Sequence, residues 1–186
     1  HDFDAMGLHS LLMIKNGYVI LEVYRYPYGP ETLHNVNSVT KSFISTLYGI
    51  ALDHKKVKNV SSRVLDYFPE YKADETDGRK LAMTVEDVLT MRTGQNWNEN
   101  ATSNMDNSFE QMLVSDNWLD FFLGTPMMME PGIAFDYNTG ASHIISAIIQ
   151  KTTGGTEAFA REQLFGPLGI RNYAWKNDPQ GIPSGG

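Results

Sequence analysis

Residues 34–52 read HNVNSVTKSFISTLYGIAL, and the reading of the whole chain turns on them. Phe43, Ile44, Leu47, Tyr48, Ile50, Ala51 and Leu52 are apolar, while Ser42, Ser45, Thr46 and Gly49 between them are small. A helix that is apolar or small almost all round is expected to be buried. Ser38 falls at its first turn, with Asn35 or Asn37 as the expected cap. Lys41 follows three residues later. Residues three apart share a helix face, so the Lys41 amine is within reach of the Ser38 hydroxyl.

That spacing suits acyl transfer. A serine hydroxyl is a weak nucleophile until an adjacent base takes its proton. A lysine in water is protonated and cannot serve, whereas desolvation disfavours a lysine's charged form. The free N–H groups of a first helical turn add a site for negative charge developing on a carbonyl oxygen. S-x-x-K occurs once in this chain. By itself it is a weak motif, but a lysine directed into an apolar helix is costly unless it has a task.

The 186 residues suffice for one domain, or for a domain with an insertion. Hydrophobic residues make up 41% and charged residues 20%, the balance of a globular chain rather than a disordered one. A formal net charge of −7 with no basic run argues against a nucleic-acid surface. Cysteine is absent, which excludes disulfides, thiolate metal sites and a cysteine nucleophile. No stretch of about 18 apolar residues encodes a membrane span. The five histidines, at positions 1, 9, 34, 54 and 143, lack metal-ligand spacing, so no metal or cofactor is expected.

Outward from the central stretch, residues 10–26 predict a β-hairpin. Leu11 to Ile14 run into Asn16-Gly17, whose residues tolerate positive φ, and alternating Val19, Leu21 and Val23 follow. Beyond the helix, Ser61 or Ser62 is expected to cap a short helix through Phe68. Residues 70–80 read as a charged loop. Thr84 and Asp87 form a capping box for a helix closed by Gly94. Residues 95–108 read as loop, residues 109–114 and 118–123 as short helices, and Met127, Met128 and Met129 as gap-filling residues. Tyr137 precedes a second apolar helix capped by Asn138 or Thr139 and ending at Gly154. Thr156 opens another, broken at Gly166-Pro167. A lone hairpin is marginal in water, so the chain reads as incomplete, with sheet partners in sequence beyond it.

Tyr137 is the second candidate. A tyrosine at a helix entrance can aim its hydroxyl into a cleft and shuttle a proton there, or it can simply pack beside the cap.

Ser38-x-x-Lys41, then residues 84–94 (TVEDVLTMRTG), then residues 131–139 (PGIAFDYNT) together resemble the serine β-lactamase and penicillin-binding-protein superfamily. The resemblance is to the class C-like branch, with its esterases, D-amino peptidases and amide hydrolases. It runs from near Leu11 to Gly186 and includes VLDYFPE at 64–70 and FGPLGI at 165–170. It implies an α+β fold, an antiparallel sheet flanked by helices with an all-helical subdomain, here without its C-terminal strands. The implied division is residues 1–60 for the hairpin and nucleophile helix, 61–140 for the mainly helical part, and 141–186 for helices returning to the α/β part. The implied activity is a serine hydrolase forming an acyl-enzyme on an ester, amide, peptide-like or β-lactam substrate. Ser38 is the implied nucleophile, Lys41 its base partner and Tyr137 the residue that passes a proton to the leaving group. Asn138 and Thr139 are the implied substrate contacts. The oxyanion hole would use the Ser38 backbone N–H and an N–H from a late strand.

Two departures stand out. The family's second motif is usually Tyr-x-Asn, and its third position here is Thr139. The third motif, K-T-G or H-x-G, is absent, because Lys151-Thr-Thr-Gly154 ends an apolar helix where lysine and glycine are ordinary. That motif is expected beyond Gly186, in a C-terminal remainder of the same domain, continuous or separate. A catalytic triad is disfavoured, since no G-x-S-x-G elbow exists and His143 reads as a satisfied, partly buried histidine. The alternative from another class is a catalytically inactive relative kept as a binding or regulatory module.

Overall fold

The computed structural model describes residues 7–71 and 77–186, so residues 72–76 of the charged loop expected at 70–80 lie outside the described residues. The chain forms two compact units. One comprises residues through Asn35 with Asn172–Ala174, the other Val36–Arg171 with Trp175–Gly186.

The first unit holds the hairpin. Strands β1 (Ser10–Lys15) and β2 (Tyr18–Tyr24) pair antiparallel. The turn is the Asn-Gly pair, with φ of 51° at Asn16 and 80° at Gly17. Met13 faces Leu21 while Ile14 faces Val19, which leaves Ile20 as the extra residue of a β-bulge. Leu12, Ile14, Val19 and Ile20 are all more than half exposed. The α+β class read from the sequence is the class observed.

The second unit is helical and built on α6 (Thr139–Thr153). From Thr139 to Ile149 only Ser142 escapes burial. Around α6 pack α1 (Thr40–Asp53), α3 (Val85–Leu89), α4 (Ser108–Leu113), α5 (Trp118–Gly124) and α7 (Thr156–Ala160). The helix that is buried almost all round is therefore α6, not the one at 40–53. Helix α1 buries Ile44, Leu47, Tyr48 and Ala51 on one side and leaves Ser42, Ser45, Thr46 and Gly49 exposed. Small residues neither seek nor avoid water strongly, so they do not show which faces of a helix are covered.

Local codes set most boundaries. Thr84 and Asp87 form the expected capping box on α3. The helix stops at Leu89, short of Gly94, because Met91 adopts a φ of 54°. Asn107 and Asn117 cap α4 and α5 with their side chains. Asn138 caps α6, and Gly154 ends it in the left-handed conformation that glycine adopts without strain. The cap expected from Ser61 or Ser62 is not made: residues Val64–Tyr67 form a 3-10 turn entered from an extended Arg63. A short α2 (Gly78–Ala82), capped by Asp77, stands where only loop was expected. After α7 the chain widens into a π-turn, Arg161–Phe165.

Candidate active site

Ser38 lies in a 3-10 turn, Asn37–Val39, that runs directly into α1. Neither Asn35 nor Asn37 caps it with a side chain; Asn37 instead adopts a φ of 44°, a conformation asparagine tolerates better than most residues. One turn on, the Lys41 amine donates to Ser38 Oγ at 3.0 Å. The spacing argument and the geometry agree. Lys41 is half-buried, not sealed inside an apolar helix.

Tyr137 arrives from a segment pinned to the exit of α3. Gly132 N–H donates to the Arg92 carbonyl and Asp136 N–H to the Met91 carbonyl, each at 2.8 Å. Gly132 has a φ of 84°, a turn conformation that glycine adopts without strain. The Tyr137 hydroxyl donates to Ser38 Oγ at 2.7 Å, joining residues 99 apart in sequence. The Lys41 amine also lies 5.0 Å from the centre of the Tyr137 ring, within cation–π range. Ser38, Lys41 and Tyr137 therefore form one cluster.

Asn138 and Thr139 are placed differently. Both are buried, with 0% and 4% of their surface exposed, and their side chains bond within the fold. Asn138 Oδ1 accepts from Ala141 N–H at 2.9 Å, and its Nδ2 lies 3.5 Å from both Thr93 Oγ1 and Gln95 Oε1. Thr139 turns its hydroxyl to Glu99, donating to Oε2 at 2.9 Å, and its backbone N–H donates to Glu99 Oε1. Trp97 Nε1–H donates to the same Oε1 at 2.8 Å. One carboxylate thus gathers three donors at the entrance of α6. Asp136, nearby, has its carboxyl pushed above the usual carboxylate range by burial and by the Glu99 charge.

A tight hairpin over residues 175–186 packs on α6. Asn177 bridges Pro183, and Ser146 Oγ–H donates to the Pro183 carbonyl at 2.7 Å. At its corner Asp178 Oδ1 accepts from the N–H groups of Gln180 and Ile182, while Oδ2 meets His143 Nε2 at 2.9 Å. His143 is fully buried, and among the described residues its Nδ1 has no partner. Histidine satisfaction is therefore one-sided. A Cβ on Gly185 would stand 2.4 Å from backbone atoms of Ser142 and His143, and one on Gly186 would stand 2.2 Å from Lys41 Nζ and 3.0 Å from Thr139 Cγ2. The hairpin end thus walls the cluster.

Glu99, Asp178, Gly185 and Gly186 were invisible from the sequence. Glu99 sits in an Asn- and Ser-rich loop with no periodicity, and its partner is 40 residues away. The Asp178–His143 pair spans 35 residues.

Solved structures share this fold at low sequence identity. A Bacillus anthracis protein described as a candidate 6-aminohexanoate-dimer hydrolase aligns with a TM-score of 0.73 at 18% identity, covering 94% of this chain and 48% of its own. EstCE1, a hydrolase with promiscuous acyltransferase activity, gives 0.69 at 18% identity, covering 94% and 52%. A penicillin-binding-protein homologue from Caulobacter crescentus gives 0.65 at 19% identity, covering 90% and 46%. The chain thus spans about half the length of these structures. No curated protein matches the sequence. The family model described as Beta-lactamase matches residues 9–185, nearly the whole chain. On that match the chain belongs to the β-lactamase family.

Proposed function

We propose that this chain carries the nucleophile half of a serine hydrolase that works through a covalent acyl-enzyme on an ester, amide or β-lactam. The observation that carries the reading is the convergence on Ser38 Oγ of the Lys41 amine at 3.0 Å and the Tyr137 hydroxyl at 2.7 Å. Ser38 Oγ attacks the substrate carbonyl carbon, and its proton passes to the Lys41 amine, which reprotonates Tyr137 after that residue has given its own proton to the leaving group. The resulting tetrahedral oxyanion is stabilised by the Ser38 backbone N–H and by a second donor outside this sequence. Collapse breaks the bond to the leaving group, which takes its proton from Tyr137. Water then attacks the ester of Ser38, and the same groups return the proton to Oγ. The third motif and the second oxyanion donor come from a C-terminal remainder of the domain. Asn138 and Thr139 act in this scheme by holding the backbone that carries Tyr137.

The inactive-module reading keeps the same fold and predicts no labelling. Intact-mass analysis of the full-length protein with a fluorophosphonate and with a penicillin, beside Ser38→Ala, separates them. A single adduct on the wild type and none on the variant is expected. An adduct that persists in Ser38→Ala, or none on the wild type, overturns the assignment. Labelling by the phosphonate alone identifies an esterase-like enzyme.

A further inference from the structure

We propose that Glu99 is a positioning residue for acyl transfer: its carboxylate clamps the first turn of α6 and so holds Tyr137 on Ser38. The inference rests on the acyl-enzyme reading above and adds a residue to it. Tyr137 is partly exposed, so its ring is not fixed by packing alone and its aim depends on the backbone that bears it. That backbone is tied on one side by Asp136 N–H to the Met91 carbonyl. On the other side it enters α6 at Thr139, and there the tie is Glu99.

The clamp has three features that a surface carboxylate lacks. It takes both the backbone N–H and the hydroxyl of Thr139, so it fixes position and rotamer together. It stands at the N-terminus of a helix of 15 residues, where unpaired N–H groups and the helix dipole favour a negative charge. It is itself held by Trp97 Nε1–H, and Trp97 is buried against Phe121 and Phe122. Gly140 belongs to this packing, because a Cβ there would meet the Trp97 and Phe122 rings at 2.7 and 2.8 Å. The core thus positions Trp97, Trp97 positions Glu99, and Glu99 positions the turn that carries Tyr137.

The same contacts account for threonine at the third place of the Tyr-Asn-Thr segment. With its hydroxyl proton given to Glu99, Thr139 presents its methyl group to the space at Gly186 that Lys41 Nζ also borders. The threonine and the glutamate work as one unit, and neither is expected to act without the other.

The test compares two esters of one acyl chain, 4-nitrophenyl butyrate and ethyl butyrate. Single-turnover acylation of the full-length protein is followed by intact mass. Nitrophenolate leaves without a proton, whereas ethoxide needs one from Tyr137. In Glu99→Ala the acylation rate with the ethyl ester is expected to fall about 10- to 100-fold, the scale of a misplaced catalytic group, and that with the nitrophenyl ester by no more than about threefold. Thr139→Val is expected to reproduce this split, Thr139→Ser to stay near wild type, and the double variant Glu99→Ala/Thr139→Val to be no worse than Glu99→Ala alone. Equal losses on both esters, additive losses, or no loss overturns the inference. Thermal melting of each variant identifies one that has merely unfolded, and the Thr139→Val arm then decides the question. Wild-type protein that takes up no acyl group, or a Ser38→Ala variant that still does, is a failure of the acyl-enzyme reading instead.

Discussion

Replacing Asp178 by alanine tests whether the hairpin at 175–186 is held on α6 by a buried polar corner. The carboxylate accepts from Gln180 N–H at 2.9 Å and Ile182 N–H at 2.8 Å and meets His143 Nε2 at 2.9 Å. Alanine leaves two backbone donors and a buried imidazole nitrogen without a partner. Each orphaned group costs about 1–3 kcal/mol, and breaking a buried pair at one end typically costs about 3–5 kcal/mol in all. For a domain of this size that is a melting-point fall of roughly 10 °C. Asp178→Asn is milder. Its amide oxygen still accepts from both backbone groups, but its NH₂ faces His143 Nε2, which must then give up its proton to Nδ1, a position with no partner among the described residues. A cost of about 1–2 kcal/mol is expected. Burial pushes the Asp178 carboxyl up, but bonds from His143 and from the N–H groups of Ile182 and Gln180 outweigh it and hold the carboxyl below the usual range. The stabilisation is therefore present above the unfolded value of about 3.9 and is lost as pH falls through the lower folded value. Urea melts at pH 7 and at stepped acid pH, on wild type and both variants, read all of this. Asp178→Ala within about 1 kcal/mol of wild type, or Asp178→Asn as damaging as alanine, refutes the latch.

Four further outcomes follow from the geometry. Tyr137→Phe keeps the ring beside Lys41 and removes the hydroxyl on Ser38, so acylation by the ethyl ester should fall by about 10²–10⁴ with little change in melting temperature. Gly186→Ala directs a methyl group at Lys41 Nζ, a flexible tip that moves aside; labelling of Ser38 should slow while the fold survives, as checked by rate of phosphonylation and circular dichroism. Gly140→Ala forces a Cβ into Trp97 and Phe122 and should cost about 1–3 kcal/mol by urea melt. Glu99→Gln removes one of the two causes that raise the Asp136 carboxyl, so its titration should move down, which carboxyl NMR reads directly.

What was legible in the sequence was what neighbours in the chain decide. Asn16-Gly17 makes its own turn, Thr84 and Asp87 close their own box, and Asn138 and Gly154 mark the ends of α6 within a residue or two. Ser38 and Lys41 meet because a single helical turn brings them together. The errors came where a partner far along the chain settles the matter. The small residues of α1 suggest burial, yet Ser45, Thr46 and Gly49 are exposed, since smallness permits close packing without requiring it. The helix expected to run to Gly94 ends early at Met91, because the chain there turns to receive Asp136 N–H on the Met91 carbonyl. The bonds that Asn138 and Thr139 make are of the same long-range kind: Asn138 Nδ2 lies near Thr93 and Gln95, and the Thr139 hydroxyl donates to Glu99. The reach of Tyr137 to Ser38 belongs to neither kind. No local rule spans 99 positions, and only the ordered motif set pointed to it. That contact depends on α6, on the pinned segment before it, and on the Glu99 clamp between them. Ser38 therefore meets Tyr137 through a core helix to which neither residue belongs.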